Sequence, residues 1–183
     1  MARRKKAGNQ TRMGEENAPQ ADISQKIKNF EYELVQTSLF PEYGDGEASI
    51  SEAVKKEKEK KKKAEKLAAA EGMLDELLGD DKKGWVNVYR LLKSVQDYKL
   101  YTAAECSSFS AWLRKYAKRC KVSTQTLWRY QKCGRYFEEL EKAAKKKGNQ
   151  LDIDPAKLSS SGVALIARLA RDNPQKGARL AKD

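Results

Sequence analysis

The stretch AKRCKVSTQTLWRY, residues 117–130, decides the expected fold of this chain. Apolar residues recur at helical spacing up to the start of this stretch, and a second run with the same spacing begins within it. Between the two runs, Lys121, Val122 and Ser123 interrupt the pattern. Ser123 stands where its hydroxyl can cap the free amide groups of the helix that follows the interruption. The spacing therefore predicts two helices joined by a short turn.

The surrounding sequence extends this prediction to three helices. In residues 85–97, apolar side chains recur every three or four positions, which predicts the first helix. Residues 109–120 show the same pattern and predict the second helix, and the third is expected to begin at Thr124. Gly134 would ordinarily stop a helix, so we expect a kink or a new helix there.

The expected packing fixes which side of the third helix points outward. Ala117 lies four positions before Lys121, where a close crossing of two helices requires a small residue. Val122 and Leu127 would then be the buried anchors beyond the turn. The residues expected to point away from the core are Ser123, Thr124, Gln125, Trp128, Arg129 and Lys132.

The charge of the chain favours nucleic acid as its partner. Its 183 residues include 38 Lys and Arg against 26 Asp and Glu, a net charge of +12, which attracts polyanions at long range. No apolar run approaches the roughly 18 residues of a membrane-spanning helix. We therefore expect no membrane partner and a cytoplasmic, nucleoid-associated location.

The outward residues have side chains that suit DNA. Gln125 can form two hydrogen bonds with an adenine edge, and Arg129 can do the same with a guanine edge. The hydroxyl groups of Ser123 and Thr124 can bond either bases or phosphates. The cations expected to contact phosphates beside this surface are Arg114, Lys115, Lys118, Arg119 and Lys121.

Residues 117–130 resemble the helix-turn-helix of small bacterial regulators, in which Ala is followed by Gly-Val-Ser and then by Thr, an aliphatic residue and Arg. Residues 85–140 also look like DNA-binding proteins of phages, plasmids and integrative elements, some of them similar to the central domain of ParB-type partition proteins. The resemblance implies that the third helix enters the major groove of duplex DNA. It also implies a role in the regulation, partition or replication of a mobile element.

One residue departs from the pattern of this family. Lys121 stands where the family usually has glycine, at the turn between the two helices. A residue with a side chain would have to adopt a left-handed conformation there, at a cost of roughly 1 kcal/mol.

The segments before residue 84 are expected to form a flexible or extended-helical N-terminal half. Residues 1–20 are predicted to be a disordered basic arm. Residues 21–83 predict an amphipathic helix capped by Asp22, a linker, and a Lys-rich helix capped by Ser51. Residues 55–66 are charged all round, which indicates an exposed helix or, alternatively, one that follows phosphates. Residues 22–38 are a candidate surface for a protein partner.

The C-terminal half combines a helix-turn-helix domain at residues 84–148 with a helical segment at residues 149–183. Val163, Leu165, Ile166 and Leu169 predict an amphipathic helix that ends before Asn173-Pro174. Its apolar face would either complete the core or pair with a second copy in a homodimer. The chain then stops without an evident terminal signal, which leaves truncation open.

The residue types of common catalysts are missing or scattered, so we do not expect an enzyme. The chain contains no His, no recognisable nucleophile motif and no Gly-rich phosphate loop. Cys106, Cys120 and Cys133 are widely spaced and are expected to be free thiols. Asp152 and Asp154 offer too few oxygens for calcium. We therefore expect no metal and no cofactor.

The sequence thus predicts an all-α protein that binds duplex DNA sequence-specifically. Two alternatives stay open at this point. The chain could be an adaptor that binds a protein through its amphipathic helices and uses its charge for solubility. It could also be a nonspecific RNA- or DNA-binding protein, because Lys-rich segments bind any polyanion.

Overall fold

The computed structural model describes residues 18–39, 52–78, 84–145, 157–170 and 173–180. Within these ranges all regular secondary structure is helical, which confirms the predicted all-α class. A 3-10 helix at Leu100–Ala104 separates the third and fourth α-helices. The α-helices are α1 (Ala18–Leu39), α2 (Glu52–Leu78), α3 (Trp85–Asp97), α4 (Phe109–Arg119), α5 (Thr124–Lys145), α6 (Ser160–Ala170) and α7 (Pro174–Leu180).

The starts of the first two helices differ in how well the sequence predicted them. Helix α1 begins at Ala18, so Asp22 lies inside the helix, and its predicted role as the N-terminal cap is wrong. Helix α2 begins at Glu52 as expected, but its predicted cap, Ser51, lies outside the described residues. Also outside them are residues 1–17 of the basic arm, and Asp152 and Asp154.

The larger apolar core joins α1, α2, α3 and α4, and the 3-10 helix and α5 each add a buried side chain to it. Ile27 of α1, Leu74 of α2 and Leu92 of α3 are all completely buried in it, together with Leu113 of α4. The expected start of the folded domain near Gly84 therefore does not correspond to a break in the core. The first two helices pack against the predicted three-helix unit because their apolar faces need a covering surface.

Helix α1 is held on α3 by apolar and polar contacts. Its side chains that repeat every three or four residues are buried, so the face proposed for a protein partner within residues 22–38 packs inside the chain. Glu31 accepts two hydrogen bonds from the Arg90 guanidinium, and the one from Nε to Oε1 measures 3.1 Å. The Asn87 amide donates to the Ser24 hydroxyl at 3.0 Å. The side chains buried from α1 are Ile23, Ile27, Phe30 and Leu34.

The Lys-rich part of α2 is exposed, as its even charge distribution predicted. Lys60 forms an ion pair with Glu105, at 3.2 Å between Nζ and Oε1, and Lys63 pairs with Glu59 one turn earlier. Burial begins at Leu67, where apolar residues start to recur on one side of the helix. The same helix therefore has an exposed charged half and a half with one buried apolar side.

A second, smaller core joins the C-terminal half of α5 to α6. Val163 and Ala167 of α6 are buried beside Tyr136 and Leu140 of α5, whereas the leucines of the predicted apolar face of α6 are about half exposed, so only part of that face packs within the chain. The Trp85 indole, at the start of α3, donates a hydrogen bond to the Leu158 carbonyl at 2.7 Å. This bond ties the segment before α6 to the body of the protein.

Helix α5 continues through Gly134 without a break, so the kink or new helix predicted there is wrong. A Cβ atom on Gly134 would lie 2.1 Å from Cγ of the Tyr89 ring, far inside van der Waals contact. The glycine is therefore placed for close packing of α5 on α3, since it is the residue without a side chain. The low helix propensity of this glycine is offset by the helical residues on either side of it.

Helix α7 has no counterpart among the predicted elements. The Asn173 side-chain oxygen accepts hydrogen bonds from the amides of Gln175 and Lys176, at 3.0 and 3.2 Å. Asn173 therefore caps α7, and Pro174 occupies its first turn, where a missing amide hydrogen costs nothing. The sequence predicts that Asn173-Pro174 ends a helix, and in the structure the same pair begins the next one.

Within the described ranges, no helix is both long enough and apolar enough to cross a membrane. Nor do His, Cys, Asp and Glu side chains in these ranges form a group of three or more that could hold a metal ion.

Candidate nucleic-acid interface

The turn between α4 and α5 has the geometry of a Schellman motif. The Val122 amide donates to the Ala117 carbonyl at 3.0 Å, and the Lys121 amide donates to the Lys118 carbonyl at 3.4 Å. Lys121 has a φ of 56°, which confirms that it adopts the left-handed conformation expected at this position. These bonds satisfy carbonyl groups at the end of α4 while the chain reverses into α5.

Lys121→Gly is expected to stabilise the protein by about 1 kcal/mol, because glycine adopts this conformation without steric cost. Chemical unfolding followed by tryptophan fluorescence would measure the change. Lys121→Ala is the matched control, since it removes the same charge but keeps a Cβ atom. An equal gain in both variants would show that charge, not backbone conformation, is responsible.

The predicted anchors hold α5 in place beyond the turn. Ala117 is 1% exposed and Leu127 is fully buried, and both belong to the larger core. Val122 is half-buried and packs against the same core. The Ser123 carbonyl accepts the amides of Thr126 and Leu127, at 2.9 and 3.3 Å, to begin the helix.

Most of the residues predicted to contact bases lie together on the outer side of α5. Gln125, Arg129 and Lys132 are exposed, and their spacing of four and three residues places them on one face of the helix. Ser123 is exposed at the turn, while Thr124 is partly buried. No ion pair within the described residues involves Arg129 or Lys132.

Trp128 combines a packing contact with exposure on this face. Its ring lies edge-on to Phe109 of α4, with centroids 5.9 Å apart and planes at 86°. The side chain is nevertheless 38% exposed. One edge of the indole thus fixes the orientation of the ring, and the remainder is open to a partner.

The predicted phosphate-contacting residues divide into two groups. Arg114, Lys118 and Lys121 are exposed and form no ion pair within the described part of the chain. Arg119, by contrast, forms ion pairs with α2. Lys115 lines a cavity of about 410 Å³ against α2, together with Arg119.

Two acidic residues of α2 bind Arg119 and were missed by the sequence analysis. The Arg119 guanidinium lies 2.5 Å from Glu71 Oε2 and 3.5 Å from Asp75 Oδ2, and it also stacks over the Tyr116 ring. Glu71 and Asp75 are four residues apart, so both project from the same side of α2. Arg119 is therefore oriented by α2 and is less available to phosphates than the other cations.

Asp75 is the centre of a hydrogen-bond cluster at the end of α4. Its Oδ1 accepts the Tyr116 hydroxyl at 2.7 Å and the Cys120 thiol at 3.1 Å. Burial acts to raise the pKa of Asp75, but these hydrogen bonds and Arg119 together lower it. Burial and the bond to Asp75 raise the pKa of Tyr116. The cluster fixes α2 to α4 just before the turn.

A cleft of about 660 Å³ separates the outer face of α5 from α6. Gln125, Arg129 and Lys132 line its α5 side, so the candidate base-contacting surface is also one wall of the cleft. Arg168 lines the α6 side. The sequence analysis placed α6 after the domain and did not predict that it flanks this surface.

Comparison with known proteins does not assign the chain to a group. No protein family, no curated protein and no solved structure matches it. Functional inference therefore depends on the residues and geometry described above.

Proposed function

We propose that this protein binds duplex DNA sequence-specifically, with the first turns of α5 in the major groove. The observation that supports the proposal is that four of the predicted base-contacting residues are exposed together on α5, directly after a Schellman turn that follows α4. These residues are Gln125, Trp128, Arg129 and Lys132. The resemblance of residues 117–130 to bacterial helix-turn-helix regulators points the same way. Regulation, partition or replication of a mobile element is the proposed setting, with the protein located at the nucleoid.

The roles of the side chains follow from hydrogen-bond chemistry. Arg129 would donate two hydrogen bonds to a guanine edge, and Gln125 would bond an adenine edge. Arg114, Lys118 and Lys121, which lie at the end of α4 and in the turn, would contact phosphates and set the position of α5. The net charge of +12 would steer the protein toward DNA before specific contacts form.

The proposal is tested by selection from a random pool of duplex DNA at two salt concentrations, followed by sequencing of the retained fraction. Enrichment of a motif is the expected result. Retention without enrichment would indicate nonspecific binding, and loss of binding even at low salt would contradict the proposal. Competition with duplex RNA of equal length separates DNA recognition from general polyanion binding. A mass measurement with and without DNA tests the predicted homodimer.

Arg129→Ala is expected to weaken binding to the selected site by about tenfold to a hundredfold, because a bidentate base contact is lost. Binding to random DNA should change much less. Lys118→Ala is the matched control, since Lys118 is equally exposed but assigned to a phosphate, and it should weaken both complexes alike. Titration of labelled duplexes measures both. Equal losses on the two DNAs for Arg129→Ala would contradict its base-contacting role.

A further inference from the structure

The cleft between α5 and α6 places α6 next to the candidate DNA-binding surface. Helix α6 lies beside the exposed face of α5, and the space between them has both helices as its walls. The sequence analysis assigned α6 only to the core or to dimerisation. Because α6 lies next to Arg129 and Lys132, it is placed to contact a ligand that binds this face of α5.

We infer that the cleft receives the sugar-phosphate backbone of the DNA strand bordering the occupied groove, and that Arg168 contacts a phosphate there. The inference rests on the proposed function, because it requires α5 to lie in the major groove. It adds a binding site on α6, beyond the helix-turn-helix, and a residue that the sequence analysis did not single out.

The dimensions of DNA and of an α-helix indicate that the sugar-phosphate backbone would lie at the cleft. A major groove is about 12 Å wide, and an α-helix with side chains has a diameter of about 10–12 Å. A helix in the groove is therefore bordered by a phosphate strand on each side. An element packed alongside α5 meets one of these strands, and α6 is packed on the side lined by Arg129 and Lys132.

The charges of the cleft match a phosphate strand. Besides Arg129, which the proposed function assigns to a base edge, the cations Lys132 and Arg168 line it, and the described residues in its lining include no carboxylate. None of the three forms an ion pair within the described ranges. Within the described part of the chain their charge therefore has no acidic partner, in contrast to that of Arg119. The planar guanidinium of Arg168 suits a phosphate because it can donate two parallel hydrogen bonds.

The position of Arg168 is fixed by the packing of α6. Val163 and Ala167, on the inner side of α6, are buried in the smaller core. The Cys133 thiol donates to the Ser160 carbonyl at 3.2 Å, and the Trp85 indole bonds the preceding segment. Because α6 packs on α5 and the segment before it is bonded to α3, the position of Arg168 beside the cleft is fixed by the fold.

The test compares Arg168→Ala with the unchanged full chain on the selected duplex and on random duplex across a series of salt concentrations. We expect binding to both DNAs to weaken about tenfold, and the slope of log binding constant against log salt to fall in magnitude by about one. Lys28→Ala is the matched control, because it removes an exposed cation on α1, which does not line the cleft. It should leave both the affinity at moderate salt and the slope nearly unchanged.

A second variant, Ala164→Glu, places a negative charge in the same cleft at an exposed position of α6. It is expected to weaken both complexes at least as strongly as Arg168→Ala, with an unchanged unfolding temperature. Unchanged affinity and slope in both variants, while the unchanged protein binds duplex DNA, would overturn the inference and leave the proposed function standing. Absence of duplex binding by the unchanged protein would overturn both.

Other occupants of the cleft give different results. If poly-glutamate binds the unchanged protein and loses affinity in Arg168→Ala, while duplex binding stays the same, the cleft takes an acidic peptide and the inference is overturned. If poly-glutamate competes with DNA and both lose affinity in Arg168→Ala, the phosphate strand remains the occupant and the peptide acts as a general polyanion.

Discussion

Gly134→Ala is expected to destabilise the protein by about 3 kcal/mol, although alanine is the better helix former. The added Cβ atom would lie 2.1 Å from Cγ of Tyr89, the ring atom closest to the backbone. Tyr89 is itself buried, so its ring lacks space to withdraw. Relief of the overlap requires α5 and α3 to separate, which opens the core on both sides. Urea unfolding followed by tryptophan fluorescence measures the loss.

Gly72→Ala is the matched control, because Gly72 also lies in a helix but its Cβ position has no atom within 4 Å. We expect this variant to gain about 0.5–1 kcal/mol from helix propensity alone. The two substitutions are chemically identical and should change stability in opposite directions. A gain for Gly134→Ala would mean that α5 does not approach α3 as closely as the structure has it.

The contact at Gly134 also shows why part of the fold escaped prediction from sequence. Periodicity describes one helix at a time, and it correctly placed α3 at residues 85–97 and the start of α5 at Thr124. The reason for a glycine inside α5 lies 45 residues earlier, in the ring of Tyr89. Local propensity therefore indicated a break where tertiary packing requires a continuous helix.

The candidate site shows the same division between local and distant information. The left-handed conformation of Lys121 and the burial of Ala117 and Leu127 follow from the spacing of nearby residues, and they were predicted. The pairing of Arg119 with Glu71 joins residues 48 positions apart. Only the sign of their charges is visible in the sequence, so their contact could not be anticipated.

The 3-10 helix before α4 is a further element that the sequence did not reveal. It is bounded by Lys99 and Glu105, which have φ values of 51° and 57°. Neither residue is a glycine, the usual sequence marker of a left-handed conformation. Helix α7 is different, because Asn173 and Pro174 are a recognisable cap and first-turn pair.

The acidic residues of α2 give this helix an influence on the candidate interface. Asp75 bonds Tyr116 and Cys120 at the end of α4, directly before the turn that positions α5. The Trp112 indole donates to Glu71 at 2.8 Å, one turn earlier on both helices. The position of α4 therefore depends on α2, and α5 is joined to α4 through the turn. We therefore expect α4, the turn and the start of α5 to depend on α2 for their stability.

Leu74→Ala should test this dependence with an expected loss of about 3 kcal/mol, the usual cost of truncating a fully buried leucine. Leu74 is 0% exposed and lies between Glu71 and Asp75 on α2, in the core shared with Leu113 of α4. The tryptophans at 85, 112 and 128 lie on α3, α4 and α5, so their fluorescence reports unfolding of these three helices.

A single transition shifted to lower urea is the expected result for Leu74→Ala, because loss of packing on α2 weakens α4 in the same cooperative unit. Val54→Ala, at an exposed position of the same helix, is the control and should change the midpoint little. An unshifted fluorescence transition in Leu74→Ala would mean that residues 84–145 fold without α2. The boundary predicted at Gly84 would then describe the energetics of the chain better than its shared core does.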